Sequence, residues 1–375
     1  MLKIGTKIDE VRVDGHLELL ARDLDCFARL DLQAVEIPVH GLDAIVHGRL
    51  NGSRVRSIRR VLDSFGFAYS VHAPNPLNLM DRDCGRLHDR VFRASMEFAS
   101  EIGSSVVVYH AGRFIPEEAF DVPGFAVPTE GERTALLQGE ARALGAIAGD
   151  FPGIRICVEN ARPYLRQRHY CYGESPGILA EQVRRIGRPN VRINLDLGHL
   201  YMAAKHYRFD AVEAAREMRD CIGHVHVHDN FGLAADHRQK QQTHLVPFGR
   251  GDAHMPVGWG EIPFADILGT FVDSYDGLMI TELRSRYFER TGESVENLKI
   301  LLGNLKKTAA FPDPACGRTG PAGDGRNVFP KADASDLGTG LLSTTQDARP
   351  PERRNGVTVP DGGRDRVRSS SISEN

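Results

Sequence analysis

The sequence predicts an α/β protein in which residues 1–309 fold as one parallel (β/α)8 barrel and residues 310–375 form a low-complexity tail. Two observations carry that expectation. Eight short, apolar, strand-like runs recur along the chain, and helical patterns with apolar residues at three- and four-residue spacing lie between them. A doubly wound open sheet is the runner-up, but the first run lacks the glycine-rich phosphate turn that would support it.

The strand-like runs are LKIGTK (2–7), AVEIPV (34–39), AYSVHA (68–73), VVVYHA (106–111), IRICVEN (154–160), VRINLDLGH (191–199), IGHVHVHD (222–229) and LMITELR (278–284). Their valine and isoleucine content and short length suit strands buried on both faces. Helical spacing is read in GHLELLARDLDCFARL (15–30), SRVRSIRRVLDSFG (53–66), LHDRVFRASMEFASEIG (87–103), RTALLQGEARALGAIAG (133–149), DAVEAAREMRD (210–220) and SVENLKILLGNLKK (294–307). After residue 309 the chain turns to glycine, proline and charge without periodicity, and over residues 311–375 nine Lys or Arg balance nine Asp or Glu. Such a segment buries too little apolar surface to offset its ordering entropy, so disorder is expected, and its neutral balance argues against a nucleic-acid tail.

Composition narrows the function classes. The 375 residues are 41% hydrophobic and 26% charged, and no apolar run approaches the roughly 20 residues of a membrane helix. The opening MLKIGTKIDE lacks the basic-then-apolar pattern of a secretory signal, so a cytoplasmic protein without membrane association is expected. Six cysteines without a C-x-x-C pair argue against a disulfide framework or thiolate zinc cluster. A net charge of −3 weighs against a broad nucleic-acid face. Nothing in the sequence points to an oligomeric state.

In a barrel of this kind the active site forms at the C-terminal ends of the strands. Those ends are rich in metal ligands here: His72, His110, Glu159, Asp196 with His199, His226 and Glu282, joined by Asp252 and His254 from the loop after the seventh strand. Imidazoles and carboxylates aimed into one mouth, without a matching set of Lys or Arg, need cations to neutralise them. Mixed histidine and carboxylate donors suit zinc, manganese or another divalent transition metal such as cobalt better than calcium.

The run HVHVHD (224–229) puts His224, His226 and His228 on one face of a strand. At about 3.3 Å per residue, His224 and His228 lie roughly 13 Å apart along it and cannot both ligate one ion. His224 reads as a deep packing residue. His228 is expected at the rim, orienting ligands or touching substrate.

The motifs VHAP, HAG, VEN, LDLGH, HVHD, D-x-H-x-P-x-G-x-G and ITE, in that order over roughly residues 1–305, resemble the xylose isomerase-like TIM barrels, the superfamily that also holds the zinc nuclease endonuclease IV. The resemblance implies that Glu159, Asp196, His226 and Glu282 surround one metal. In the endonuclease pattern Glu159 bridges to a second metal on His72 and His110, and a third sits on His199, Asp252 and His254. One to three zinc ions are therefore implied.

Because all nine positions are present, the first expectation is a phosphoesterase acting on a small sugar- or nucleotide-like phosphoester, with a metal cluster supplying hydroxide and charge. The alternative is a sugar or sugar-phosphate isomerase or epimerase using one divalent metal, with Glu159 and Glu282 as catalytic proton carriers. Duplex DNA is an unfavoured substrate. Asn75 stands where the resembling endonucleases place an aromatic residue that enters DNA, and the loop after the second strand offers only Arg49 and Arg54 to phosphates. Substrate contacts are expected from Arg284, His228 and Asn75, with Arg162, Lys205, His206, Arg250 and Arg286 as further candidates. Trp259 reads as packing.

Overall fold

In the computed structural model, eight parallel strands close into a barrel in which each strand pairs with its neighbours in sequence and the first pairs with the last. The structure describes residues 2–239 and 243–310, the side chains of 307–310 excepted, so the expectation of a disordered tail lies outside the described residues. The barrel strands are β1 (Lys3–Lys7), β2 (Ala34–Pro38), β3 (Ala68–His72), β4 (Val106–His110), β5 (Arg155–Glu159), β6 (Val191–Asp196), β7 (Ile222–Val227) and β8 (Leu278–Thr281). Each falls within one of the eight runs read from the sequence. The family of apolar side chains inside and outside the strands explains this, since helices cover the outer face while side chains fill the lumen.

The outer helices form where apolar residues repeat every three or four positions. In α1 (Leu17–Arg29) the buried Leu20, Leu24 and Phe27 make such a stripe, and in α2 (Gly52–Leu62) Val55, Ile58 and Leu62 do the same. The stripe of α3 (Gly85–Glu101) holds Phe92, Met96 and Ala99, and α4 (Glu130–Asp150) starts at a capping box between Thr129 and Glu132. The longer helices that follow are α5 (Pro176–Ile186), α6 (Leu197–Tyr207), α7 (Ala211–Met218) and α8 (Thr291–Ala310), besides a single helical turn at Glu10–Val13.

Of the longer helices, α5 and α6 were not among the patterns picked out in the sequence. The reason for α6 is that it has no loop before it: Asp196 ends β6 and also caps the helix, accepting the His199 amide at 2.7 Å. Between β7 and β8 the described residues form long loops with three 3-10 turns and a short α-helix, Phe264–Leu268. Among the described residues no helix is long and apolar enough to cross a membrane, and the five described cysteines are free thiols.

Candidate metal centre

Strand register sets the donors at a common height. His110 pairs in register with Glu159 across β4 and β5, and Asp196 with His226 across β6 and β7, where an irregularity between Ile193 and Asn194 shifts the pairing. Glu282 follows the last residue of β8, its amide still donating to the Val227 carbonyl at 3.1 Å. Four donor groups result, each with ligand atoms within 4.8 Å of one another: Glu159, Asp196, His226 and Glu282; His72, His110 and Glu159; His199, His228, Asp252 and His254; and Glu36, His72 and His226.

The central group is compact enough to share one ion. His226 Nδ1 lies 3.1 Å from Glu282 Oε2, 3.6 Å from Glu159 Oε2 and 3.8 Å from Asp196 Oδ2. Two ligands each about 2.0–2.2 Å from a tetrahedral ion stand roughly 3–3.5 Å apart. His226 Nδ1 is buried and without a hydrogen-bond partner among the described residues, and an imidazole nitrogen so placed, facing three carboxylates, fits a divalent cation. His72 Nε2 and His110 Nε2 each stand 3.6 Å from Glu159 Oε2, too far for a hydrogen bond and again compatible with a shared ion.

Backbone carbonyls set the orientation of the outer histidines. His72 Nδ1 donates to the Ala73 carbonyl at 2.8 Å, His199 Nδ1 to Asn160 at 3.0 Å and His254 Nδ1 to Glu282 at 2.9 Å. A carbonyl only accepts, so Nδ1 carries the proton and Nε2 turns toward the carboxylates. In the third group Asp252 Oδ2 consequently meets His254 Nε2 at 2.9 Å and His199 Nε2 at 3.2 Å. Arg162 Nη1 approaches the same oxygen at 3.4 Å.

Electrostatics follow from this crowding. Burial alone would raise the Glu159 carboxyl, but His110 and His226 hold it well below the usual range. Burial would likewise lower His226, yet Glu36, Glu282 and Glu159 raise it well above its ordinary value. These are the shifts of a compact cluster of opposite charges held away from water.

The structure corrects several expectations. His228 is not a rim residue: it is fully buried, 3.1 Å from Asp196 Oδ1, and stacked on His254 with ring centres 3.9 Å apart. The loop folds back over the strand end, with Asp229 and Met255 paired across it. A β-carbon at residue 198 would overlap the His228 ring, so Gly198 makes its space. Asn75, Arg162, Arg284 and Arg286 do line the mouth, a cavity of about 440 Å³, whereas Lys205, His206 and Arg250 do not. Those three lie beyond it on α6 and on the outer loop after β7. Trp259 packs only in part: it stands edge-on to Tyr287 and donates to Glu293 at 2.7 Å, but is 40% exposed.

The mouth also holds cations that the sequence reading left out. Lys7 ends β1 with Nζ 2.6 Å from Glu282 Oε1 and 3.4 Å from Glu10 Oε2, and Arg113 joins Arg162 and the two later arginines on the cavity wall. Glu36 was missed as well. It is wholly buried in β2, with Oε1 2.9 Å from His226 Nε2 and Oε2 3.0 Å from His224 Nε2 and accepting from Ser70 Oγ at 2.9 Å. A lone glutamate inside the apolar run AVEIPV was the available signal, since burying a charge is costly unless it is paired. His224 is a packing residue as expected, held by Glu36.

Comparison with known proteins places the architecture. Residues 24–304 match the family described as xylose isomerase-like TIM barrel. The uncharacterized protein MJ1311 of Methanocaldococcus jannaschii is 28% identical over 273 residues, covering 71% of this chain and 79% of its own. Among solved structures, a D-tagatose 3-epimerase-like protein superposes with a TM-score of 0.59 at 24% identity, covering 82% of this chain and 99% of its own. An L-ribulose 3-epimerase gives 0.58 at 15% identity, with 85% and 100% covered.

Proposed function

The chain belongs to the xylose isomerase-like TIM barrel family, and from that premise we propose that it is a sugar isomerase or epimerase using one divalent metal, zinc, manganese or cobalt, held by Glu159, Asp196, His226 and Glu282. The observation that carries this over the phosphoesterase is Arg162. Its guanidinium stands 3.4 Å from Asp252 Oδ2, so the third donor group has a cation of the chain's own, and a dication there would sit beside a fixed positive charge. The solved structures of epimerases with the same fold support the same choice.

When bound, the metal would polarise a carbonyl and the neighbouring hydroxyl of the sugar. The chain's own groups do the rest. Glu159 from β5 and Glu282 beside β8 approach the centre from different strands, so one carboxylate takes the proton from the carbon next to the carbonyl and the other returns one. Lys7 holds Glu282 through Oε1 at 2.6 Å, which leaves Oε2 facing the centre. Asn75 Oδ1, buried and without a hydrogen-bond partner among the described residues, accepts from a sugar hydroxyl.

The second reading, a phosphoesterase with a metal cluster, is favoured by one observation. His199 and His254 both have Nδ1 tied to carbonyls and both turn Nε2 to Asp252 Oδ2, as ligands of a further ion would. Metal analysis of protein purified without chelators, run beside proton NMR of ketoses in deuterated water, separates the two. One tightly bound metal per chain with solvent deuterium entering the sugar is expected. Three metals, release of phosphate from esters and no deuterium exchange would overturn it.

A further inference from the structure

We infer that the mouth contains an oxyanion subsite centred on Arg162, so that the sugar taken here carries a phosphate or carboxylate group. This deepens the isomerase reading and rests on it for where the remainder of the substrate lies. Four arginines line the cavity, and three of them come from three separate loops: Arg113 after β4, Arg162 after β5 and Arg284, two residues before Arg286, after β8. Like charges gathered around one cavity repel one another and lose hydration, so their arrangement needs holding. The chain holds all three. Arg162 Nη1 stands against Asp252 Oδ2 at 3.4 Å and its Nη2 donates to Tyr164 Oη at 3.2 Å. Arg284 Nη2 donates to the Asp252 carbonyl at 2.9 Å, so Asp252 ties two arginines to one point. Arg113 Nη2 donates to the Asn75 carbonyl at 2.6 Å.

What these contacts leave over is the argument. Arg162 Nε is buried and has no hydrogen-bond partner among the described residues. A buried donor left unmade is costly, and an oxygen of a bound anion would satisfy it. The planar fork of arginine matches phosphate and carboxylate in particular. Among the acids on the same wall, Asp9 accepts from the amides of Arg12 and Ser285, and Glu10 pairs with Lys7. Glu159, Asp252 and Glu282 belong to the donor groups. Asn75 Oδ1 supplies the contrasting neutral acceptor. The cavity thus offers donors for an anionic end beside a metal centre for a carbonyl end.

The test is calorimetric binding to the metal-loaded full chain of D-glucose, D-glucose 6-phosphate, D-glucuronate, D-fructose and D-fructose 6-phosphate, each with the wild type, Arg162→Gln and Arg113→Gln. At least one anionic sugar is expected to bind about tenfold or more tightly than its neutral parent, with an advantage that shrinks as salt rises. The 6-phosphates against the uronate tell which oxyanion is preferred. Arg162→Gln should bring the ratio toward one; if that variant does not fold, Arg113→Gln is expected to reduce it several-fold. No anion preference across the panel overturns the inference, and so does a preference that survives Arg162→Gln, which would assign the anion to the metal. The two proposals fail separately: an Arg162-dependent preference without deuterium exchange sinks the isomerase and leaves the subsite, while exchange with equal kcat/KM for free and anionic sugars does the reverse.

Discussion

The His226 ring lies between two carboxylates, with Nε2 2.9 Å from Glu36 Oε1 and Nδ1 3.1 Å from Glu282 Oε2. The Glu36 carboxylate favours the proton on Nε2, which leaves the Nδ1 lone pair for an ion at the centre. Glu36→Ala is therefore expected to weaken metal binding by about 10- to 100-fold, with Glu36→Gln milder because its amide oxygen still accepts. Competition titration against a metal indicator measures this, and unchanged affinity in Glu36→Ala would refute it.

The neighbouring histidines should part company on mutation. His226→Ala is expected to lose the central metal and activity together. His224→Ala keeps the metal ligands and removes a buried partner of Glu36, at a cost of roughly 1–3 kcal/mol in unfolding free energy. Elemental analysis beside denaturant titration separates these outcomes, and equal metal loss in both variants would contradict the assignment.

That separation shows what a strand pattern can and cannot tell. Alternation put His224, His226 and His228 on one face, and the distance along the strand ruled out a common ion. Which carboxylate each ring meets depends on β2, nearly 190 residues earlier, since Glu36 and His224 are 188 residues apart. The donors His72, His110, Glu159, Asp196, His199, Asp252, His254 and Glu282 were legible because each ends a strand or carries a motif. The roles of Lys7 and Arg113 were not, because they come from barrel closure and loop folding, and Glu36 left only the signal of a lone charge in an apolar run without naming its partners. The burial of His228 was misjudged for the same reason: the return of Met255 over Asp229 is a tertiary event that no local spacing encodes.

Gly198 offers a steric test of that buried shelf. An added β-carbon would overlap the His228 ring, so Gly198→Ala must displace His228 from Asp196 or shift α6. A loss of roughly 1–3 kcal/mol is expected, against a slight gain if helix propensity alone decided the outcome. Chemical denaturation reads the sign directly.

Removing the metal should destabilise the fold as well as silence it. Glu159, Asp196 and Glu282 are buried carboxylates converging on one centre, and an ion bound only by the native state stabilises by about 2.7 kcal/mol at 100 times its dissociation constant. Dialysis against a chelator is expected to lower Tm, and added zinc, manganese or cobalt to restore it in proportion to affinity. A Tm indifferent to chelation would refute tight binding at this centre.

Glu174 gives a pH dependence away from the metal ligands. Burial pushes its carboxyl up to about 7, although Tyr207 Oη donates to Oε1 at 2.6 Å and the Cys171 amide to Oε2 at 3.2 Å. Since the folded value lies above the unfolded one, its contribution to stability is fully present below pH 4.5 and is lost as pH rises toward 7. Glu174→Gln does not titrate and keeps one accepting oxygen. Relative to that variant, the wild type should lose on the order of 2–3 kcal/mol between about pH 4 and pH 8. Parallel urea titrations across this range test the slope, and curves that stay parallel would show that Glu174 ionises in the folded chain at its ordinary pH.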